Sequence, residues 1–235
     1  MALPQLNDSP KYELVIPSTK QKVRFRPFLV KEEKVMLMAL ESENQNDILN
    51  TIVDTIKTCV ADDIDVNKFT TFDVEYCFLQ IRAKSAGERA NIKLQCEECK
   101  TDNEVVVKVD DIVIDVPTVE NIIDVNDDIK LEMRWPSYNK VLQEDILASE
   151  SSVDQIFGLI RSCIVSINTN EERFSAEDHS KEELDKFIES MNTEQFGRVQ
   201  KYVESMPRLS HDVEFNCISC AKENKLTIEG MQNFF

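Results

Sequence analysis

The sequence predicts an α+β fold of two duplicated halves, each running strand, helices and a closing Cys-x-x-Cys β-hairpin, related by a pseudo-twofold axis. Three observations predict it: an internal repeat, a hydrophobic period that changes from 2 to about 3.6 and back within each repeat, and a composition suited to a packed core. The 235 residues are 42% hydrophobic and 30% charged with 4 Gly and 7 Pro, which excludes low-complexity and disordered classes.

The repeat can be followed position by position. Ile92-Lys-Leu-Gln-Cys96-Glu-Glu-Cys99 matches Val213-Glu-Phe-Asn-Cys217-Ile-Ser-Cys220 at an offset of 121; beyond it Asn103 meets Asn224, Val105 meets Leu226 and Val107 meets Ile228. Upstream, residues 52–60 match 156–164 at an offset of 104, so the second half is longer between the two blocks. The extra residues fall near 168–181, a polar stretch that reads as a loop. These matches place the halves at 1–110 and 129–235, joined by a connector at 111–128. Residues 110–128 hold seven acidic side chains and no Lys or Arg, the pattern of a solvated connector or an acidic contact surface.

Each half opens on an alternating strand that a proline ends: Val23-Arg-Phe-Arg26-Pro27 in the first, Leu131-Glu-Met-Arg134-Trp135-Pro136 in the second. Proline has no N–H for a central ladder, so the strand stops and a helix follows. Ile48, Leu49, Ile52, Val53, Ile56, Cys59 and Val60 form one stripe of an amphipathic helix, and Val153, Ile156, Phe157, Ile160, Cys163 and Ile164 repeat it. Asn44 with Asp47, and Ser151 with Asp154, supply N-caps. A shorter helix follows in each half, with Val74, Cys77, Phe78 and Ile81 inward in the first and Phe196, Val199 and Val203 in the second. Ser180 and Glu183 form a capping box that opens a further helix with Leu184, Phe187, Ile188 and Met191 on its apolar face.

The cysteines carry the strongest chemical signal. Scattered at random, the seven cysteines of this chain would form roughly 0.2 Cys-x-x-Cys pairs, and two occur in matching contexts. Zn²⁺ takes four thiolates at tetrahedral corners, and a tight turn between strands brings residues i and i+3 to one ion. Cys96, Cys99, Cys217 and Cys220 therefore predict one structural, zinc-ribbon-like Cys₄ site that joins the two halves, although 117 residues separate the knuckles. Three alternatives stay open: redox-active dithiols, knuckles that bind metal separately with a partner chain, and metal-free thiols. Strands flank both pairs, whereas redox motifs open a helix whose N-terminus lowers the thiolate pKa. Cys59, Cys77 and Cys163 lie on apolar helix faces and read as small buried hydrophobes.

Other motifs are thin. Neither His179 nor His211 has a nucleophile at a recognisable spacing, and single glycines build no phosphate loop. Asp63, Asp65 and Asn67 imitate the opening of a calcium loop, but Lys68 stands where its turn glycine belongs. With 44 Asp+Glu against 27 Lys+Arg the net charge is −17, which argues against a general nucleic-acid binder. No run approaches 18 apolar residues and the N-terminus lacks a basic-then-apolar pattern, so neither membrane insertion nor secretion is expected. Against this acidity, Lys20, Lys22, Arg24 and Arg26 alternate, and in a strand all four would share one face. They lie either against the protein's own acidic surface or form a docking stripe for an acidic partner. Phe234 and Phe235 pose the same choice between self-packing and a partner pocket.

Arg26-Pro27-Phe28-Leu29-Val30-Lys31-Glu32-Glu33-Lys34, running on to Met38-Ala39-Leu40-Glu41-Ser42, resembles the baseplate hub subunit and hub-assembly family of T-even-like contractile-tailed bacteriophages. Leu3-Pro4 with Ile16-Pro17-Ser18-Thr19, and the closing Phe215-x-Cys217-x-x-Cys220, fit the same pattern. The resemblance spans nearly the whole chain. It implies a non-enzymatic subunit or assembly chaperone of the tail baseplate hub, acting on other hub and tail proteins in the infected host's cytoplasm or in the virion. The competing classes are a Cys-x-x-Cys thiol-disulfide oxidoreductase and a nucleic-acid-binding zinc protein.

Overall fold

The computed structural model describes residues 9–42, 44–109, 112, 114–144, 146 and 151–230; Leu3, Pro4, Phe234 and Phe235 lie outside them. In chain order the elements are β1 (Tyr12–Val15), β2 (Lys22–Phe25), α1 (Val30–Glu41), α2 (Gln45–Cys59), α3 (Thr71–Ala86), β3 (Arg89–Gln95), β4 (Asp102–Lys108), β5 (Ile122–Asp124), β6 (Ile129–Met133), α4 (Tyr138–Gln143), α5 (Ser152–Cys163), β7 (Ile164–Thr169), β8 (Arg173–Ser175), α6 (Lys181–Glu189), α7 (Thr193–Glu204), β9 (Ser210–Asn216) and β10 (Glu223–Glu229). They fall into two compact units, one from the described residues of 1–66, 72–115 and 208–235, the other from those of 67–71 and 116–207. This division differs from the boundaries drawn on the repeat: both Cys-x-x-Cys hairpins lie in the first unit.

The first unit holds three antiparallel hairpins, β1–β2, β3–β4 and β9–β10. All three turns close alike. Ile16, Cys96 and Cys217 donate their N–H to Gln21, Thr101 and Lys222, and accept on their carbonyls from Lys20, Lys100 and Ala221, at 2.8–3.0 Å. Those last three residues each adopt φ 58°, the left-handed region that non-glycine residues seldom visit. β3–β4 and β9–β10 also have bounds 121 apart at every end, and β4 and β10 share one alternation of buried and exposed positions. Their inward residues, Ala90, Ile92 and Val107 from one hairpin and Val213 and Ile228 from the other, pack with Leu79 and Ala83 of α3 and with Val109, Ile112 and Leu209 in one core. α3 is longer than α2, with 16 residues against 15, so the expected shorter helix is not found here.

α2 follows its stripe: Ile52, Val53, Ile56 and Cys59 are buried and the Asn44 side chain accepts from the N–H groups of Asn46 and Asp47. α1 does not behave as a core helix. Its sole buried residue is Glu32, while Val30, Val35, Leu37, Met38 and Leu40 are each at least half exposed. The Arg26 guanidinium (2.9 Å) and the Leu29 N–H (2.7 Å) hold Glu32. Burial pushes its carboxyl pKa up, but these partners outweigh it and hold the value below the usual range.

The second unit carries a four-stranded antiparallel sheet, β5-β6-β7-β8, with a bulge between Glu132 and Met133. Leu131 and Met133 of the sheet pack on Ile160, Cys163 and Ile164, on Leu184 and Ile188 of α6, and on Val199, Tyr202 and Val203 of α7. Two expectations change here. The acidic stretch read as a connector contributes β5, and the polar stretch 168–181, read as a loop, carries the end of β7, all of β8 and a 3₁₀ turn at Ala176–Asp178. The predicted caps form: Ser151 accepts from Asp154 N–H, and Ser180 with Glu183 completes its capping box. Val153 and Ile156 on the first turn and a half of α5 remain exposed, so its stripe is buried only from Ile160 onward.

One junction recurs in both units. After α2 the Cys59 carbonyl accepts the Arg26 N–H at 3.0 Å and Val60 bridges Phe25; after α5 the Cys163 carbonyl accepts the Arg134 N–H at 2.8 Å and Ile164 pairs with Met133. The helix end is thus stapled to the end of the strand that precedes the proline. Burial pushes the thiol of Cys59 up to about 11 and that of Cys163 up to about 12, so both stay neutral.

Burial also raises the Glu75 carboxyl on α3 to about 7, against the opposing pull of the Leu209 N–H and of Arg208. The folded value exceeds the unfolded one, so the stability contributed by this group is complete below about pH 4.5 and is lost as pH rises through about 7. A Glu75→Gln variant keeps the acceptor and cannot ionise. Its stability relative to the parent chain should therefore rise by roughly 1–3 kcal/mol between pH 5 and pH 8 in denaturant titrations; a difference that stays flat with pH would contradict the assignment.

Candidate metal centre

Each knuckle is a turn in which two cysteines end one strand and start the return. Cys96 follows β3 and Cys217 follows β9, with Cys99 and Cys220 three residues on and the left-handed Lys100 and Ala221 reversing the chain. Because the two hairpins share one core face, their tips meet. The four sulfurs lie within 4.8 Å of one another, with Cys96···Cys220 at 3.7 Å and Cys99···Cys217 at 3.5 Å. Four sulfurs about 2.3 Å from one ion at tetrahedral corners stand about 3.8 Å apart, so the spacing suits a single divalent ion. It does not suit disulfides, and all seven cysteines are free thiols. Cys96 and Cys217 are buried while Cys99 and Cys220 face solvent, which leaves an entry path.

The surroundings favour thiolates, but not four at once. The Thr101 hydroxyl and N–H lower Cys99 to about 6, and the N–H groups of Cys99 and Glu98 lower Cys96. Cys220 receives the Lys222 N–H, yet its sulfur neighbours Cys99, Cys217 and Cys96 push it up to about 12. Like charges this close cannot all ionise without a compensating cation. Such a donor set, all sulfur and closed by the protein, matches Zn²⁺ or another soft divalent ion and leaves no open coordination position for substrate.

Two asparagines beside the cluster, equivalent at an offset of 121, link the knuckles. The Asn103 Oδ1 accepts the Ile218 N–H at 2.8 Å and the Asn224 Oδ1 accepts the Glu97 N–H at 3.0 Å, so each asparagine grips the opposite knuckle. Their equivalence in the repeat was the signal available. Lys222 also reaches Glu98 across the pair at 3.3 Å.

The four basic residues near the N-terminus are not one strand face. β2 covers Lys22 to Phe25, Lys20 sits in the turn at φ 58° and Arg26 lies past the strand end. Arg24 donates to Asp62 through both Nε (3.1 Å) and Nη2 (2.7 Å), which raises its own pKa and lowers that of Asp62. Arg26 is held by Glu32 and by the Pro27 carbonyl. Lys20 and Lys22 are exposed. Asn67 of the imitation calcium loop accepts the Tyr138 hydroxyl at 2.9 Å, a structural use. Among the described residues, no cluster of three or more potential ligands other than the four cysteines is close enough to hold a metal, and no helix is long and apolar enough to cross a membrane.

A family model described as "T4 bacteriophage base plate protein" matches residues 9–235. No curated protein and no solved structure matches the chain.

If the four sulfurs serve one ion, Cys96→Ser and Cys217→Ser should each weaken the whole of the metal binding by a similar large factor, with at most one ion bound per chain. Chelator competition with Co²⁺ or Zn²⁺ on the reduced chain measures this. A single variant that keeps parent-like affinity at half the parent stoichiometry would mean two separate sites.

Proposed function

This chain belongs to the T4 bacteriophage base plate protein family, and we propose that it acts there as a hub subunit or hub-assembly factor, without catalysis, through contacts with other baseplate proteins. The observation that carries this reading is the family match along residues 9–235. The chemistry of the chain is consistent with it: the cysteine cluster has the closed donor set of a structural site, and the two histidines have no nucleophile at a recognisable spacing in the sequence.

We further infer that the cysteine cluster holds a structural Zn²⁺ through Cys96, Cys99, Cys217 and Cys220. The ion would add a cross-link to two hairpins that already share a core, since such sites contribute on the order of 10 kcal/mol or more in small metal-folded peptides. Internal duplication is part of the same reading; the hairpin bounds 121 apart and the twice-used helix-to-strand staple at Cys59 and Cys163 support it.

Partner contact is assigned to two surfaces of the first unit. One is α1, whose Val35, Leu37, Met38 and Leu40 are each at least half exposed and are distributed around the helix, not gathered on one face. The other is the basic stripe Lys20, Lys22, Arg24 and Arg26. Its exposed Lys20 and Lys22 are the members available to an acidic partner, because Asp62 and Glu32 already engage the two arginines.

Mass spectrometry of purified virions and of tail-assembly intermediates should find the chain in at least one of them, with host cytoplasm as the place of assembly; absence from both would overturn the baseplate role. A Lys20→Glu/Lys22→Glu chain should lose its co-purifying baseplate partner, whereas Arg24→Gln should lose little. Equal recovery of the partner with both would remove the stripe.

A further inference from the structure

The sulfur cluster depends on two hairpins meeting tip to tip, and hydrophobic packing alone does not set their register to a fraction of an ångström. Two of the side chains buried beside the knuckles are polar. Asn103 and Asn224 are 2% and 1% exposed, and burying a carboxamide is costly unless its hydrogen bonds are made. They are made reciprocally. Each Nδ2 donates to the turn of its own hairpin, Asn103 to the Thr101 carbonyl at 2.7 Å and Asn224 to the Lys222 carbonyl at 2.9 Å. Each Oδ1 accepts from the other hairpin, Asn103 from Ile218 N–H and Asn224 from Glu97 N–H.

The choice of amides is informative. In the first knuckle the N–H groups of Glu98 and Cys99 point to the Cys96 sulfur, and in the second the Ser219 N–H points to the Cys217 sulfur at 3.4 Å. The amides immediately after the leading cysteines, Glu97 and Ile218, are the ones taken by the opposite asparagine. Sulfur-directed amides orient the ligands within a knuckle; the asparagine-directed ones fix one knuckle against the other.

We propose that Asn103 and Asn224 are positioning residues of the metal centre, a reciprocal clasp that holds the two knuckles in register so that the four sulfurs stand together before the ion arrives. The proposal rests on the reading of the cysteine cluster as a metal site. It makes the site preformed, so that the metal meets a rigid cage and not two wandering hairpins.

The test is amide hydrogen exchange on the reduced full-length chain, with and without Zn²⁺, combined with chelator competition. In the chelated parent chain the Glu97 and Ile218 amides should stay protected. Asn224→Ala should release Glu97 and Asn103→Ala should release Ile218, a crossed pattern that general loosening would not give, and each variant should bind Zn²⁺ about 10- to 100-fold more weakly. Loss of both protections on chelation of the parent chain would overturn the clasp, and that measurement needs no variant to fold. Zinc uptake with unchanged affinity in both variants would overturn the clasp and leave the metal centre standing. No zinc uptake by the parent chain would overturn the metal centre, and the clasp with it.

Discussion

Four thiols within 4.8 Å of one another, drawn from turns 117 residues apart, are the constraint around which the first unit is arranged. Bringing such distant turns together costs loop-closure entropy that grows only slowly with length, so the separation is no obstacle once the hairpins have a shared face to pack on. That face is the core of Ala90, Ile92, Val107, Val213 and Ile228 with Leu79 of α3. It delivers the hairpins side by side; the asparagine pair sets their register; the sulfurs then occupy positions that mutual repulsion forbids to four thiolates without a cation. Each level of the arrangement needs the one beneath it.

Much of this was legible in the sequence because the signals were local or duplicated. The knuckle spacing, the capping residues Asn44, Ser151 and Ser180, and the apolar stripe of α2 each depend on neighbours a few positions away, and the structure has them as read. The helix-to-strand staple at Cys59 and Cys163 was visible as matched blocks, although its hydrogen bonds were not.

What the sequence did not convey depends on tertiary placement. Periodicity cannot say that α1 keeps its apolar residues in solvent, nor that α5 buries its stripe only from Ile160 onward. Alternation of Lys20, Lys22, Arg24 and Arg26 implies one strand face, yet Lys20 sits left-handed in the turn before the strand, Arg26 lies past its end, and Asp62 and Glu32 claim the arginines. The β1–β2 turn repeats the knuckle geometry with Ile16 and Thr19 in place of cysteines, so the shape alone carries no metal chemistry. Polar composition hid β8, and acidic composition hid β5, because a short strand in a small sheet needs few apolar residues.

For a base plate protein the proposed arrangement has a clear physical use. A pair of hairpins cross-linked by a metal would offer a surface whose ordering cost is already met before a partner binds, and α1 with its exposed apolar residues belongs to the same unit. The central claim is that one ion is shared by both hairpins of one chain. Native mass spectrometry of the freshly reduced protein tests it most directly: a monomer carrying one zinc ion is the expected mass, and a metal-free monomer, or zinc found only in dimers that bridge two chains, would contradict the account.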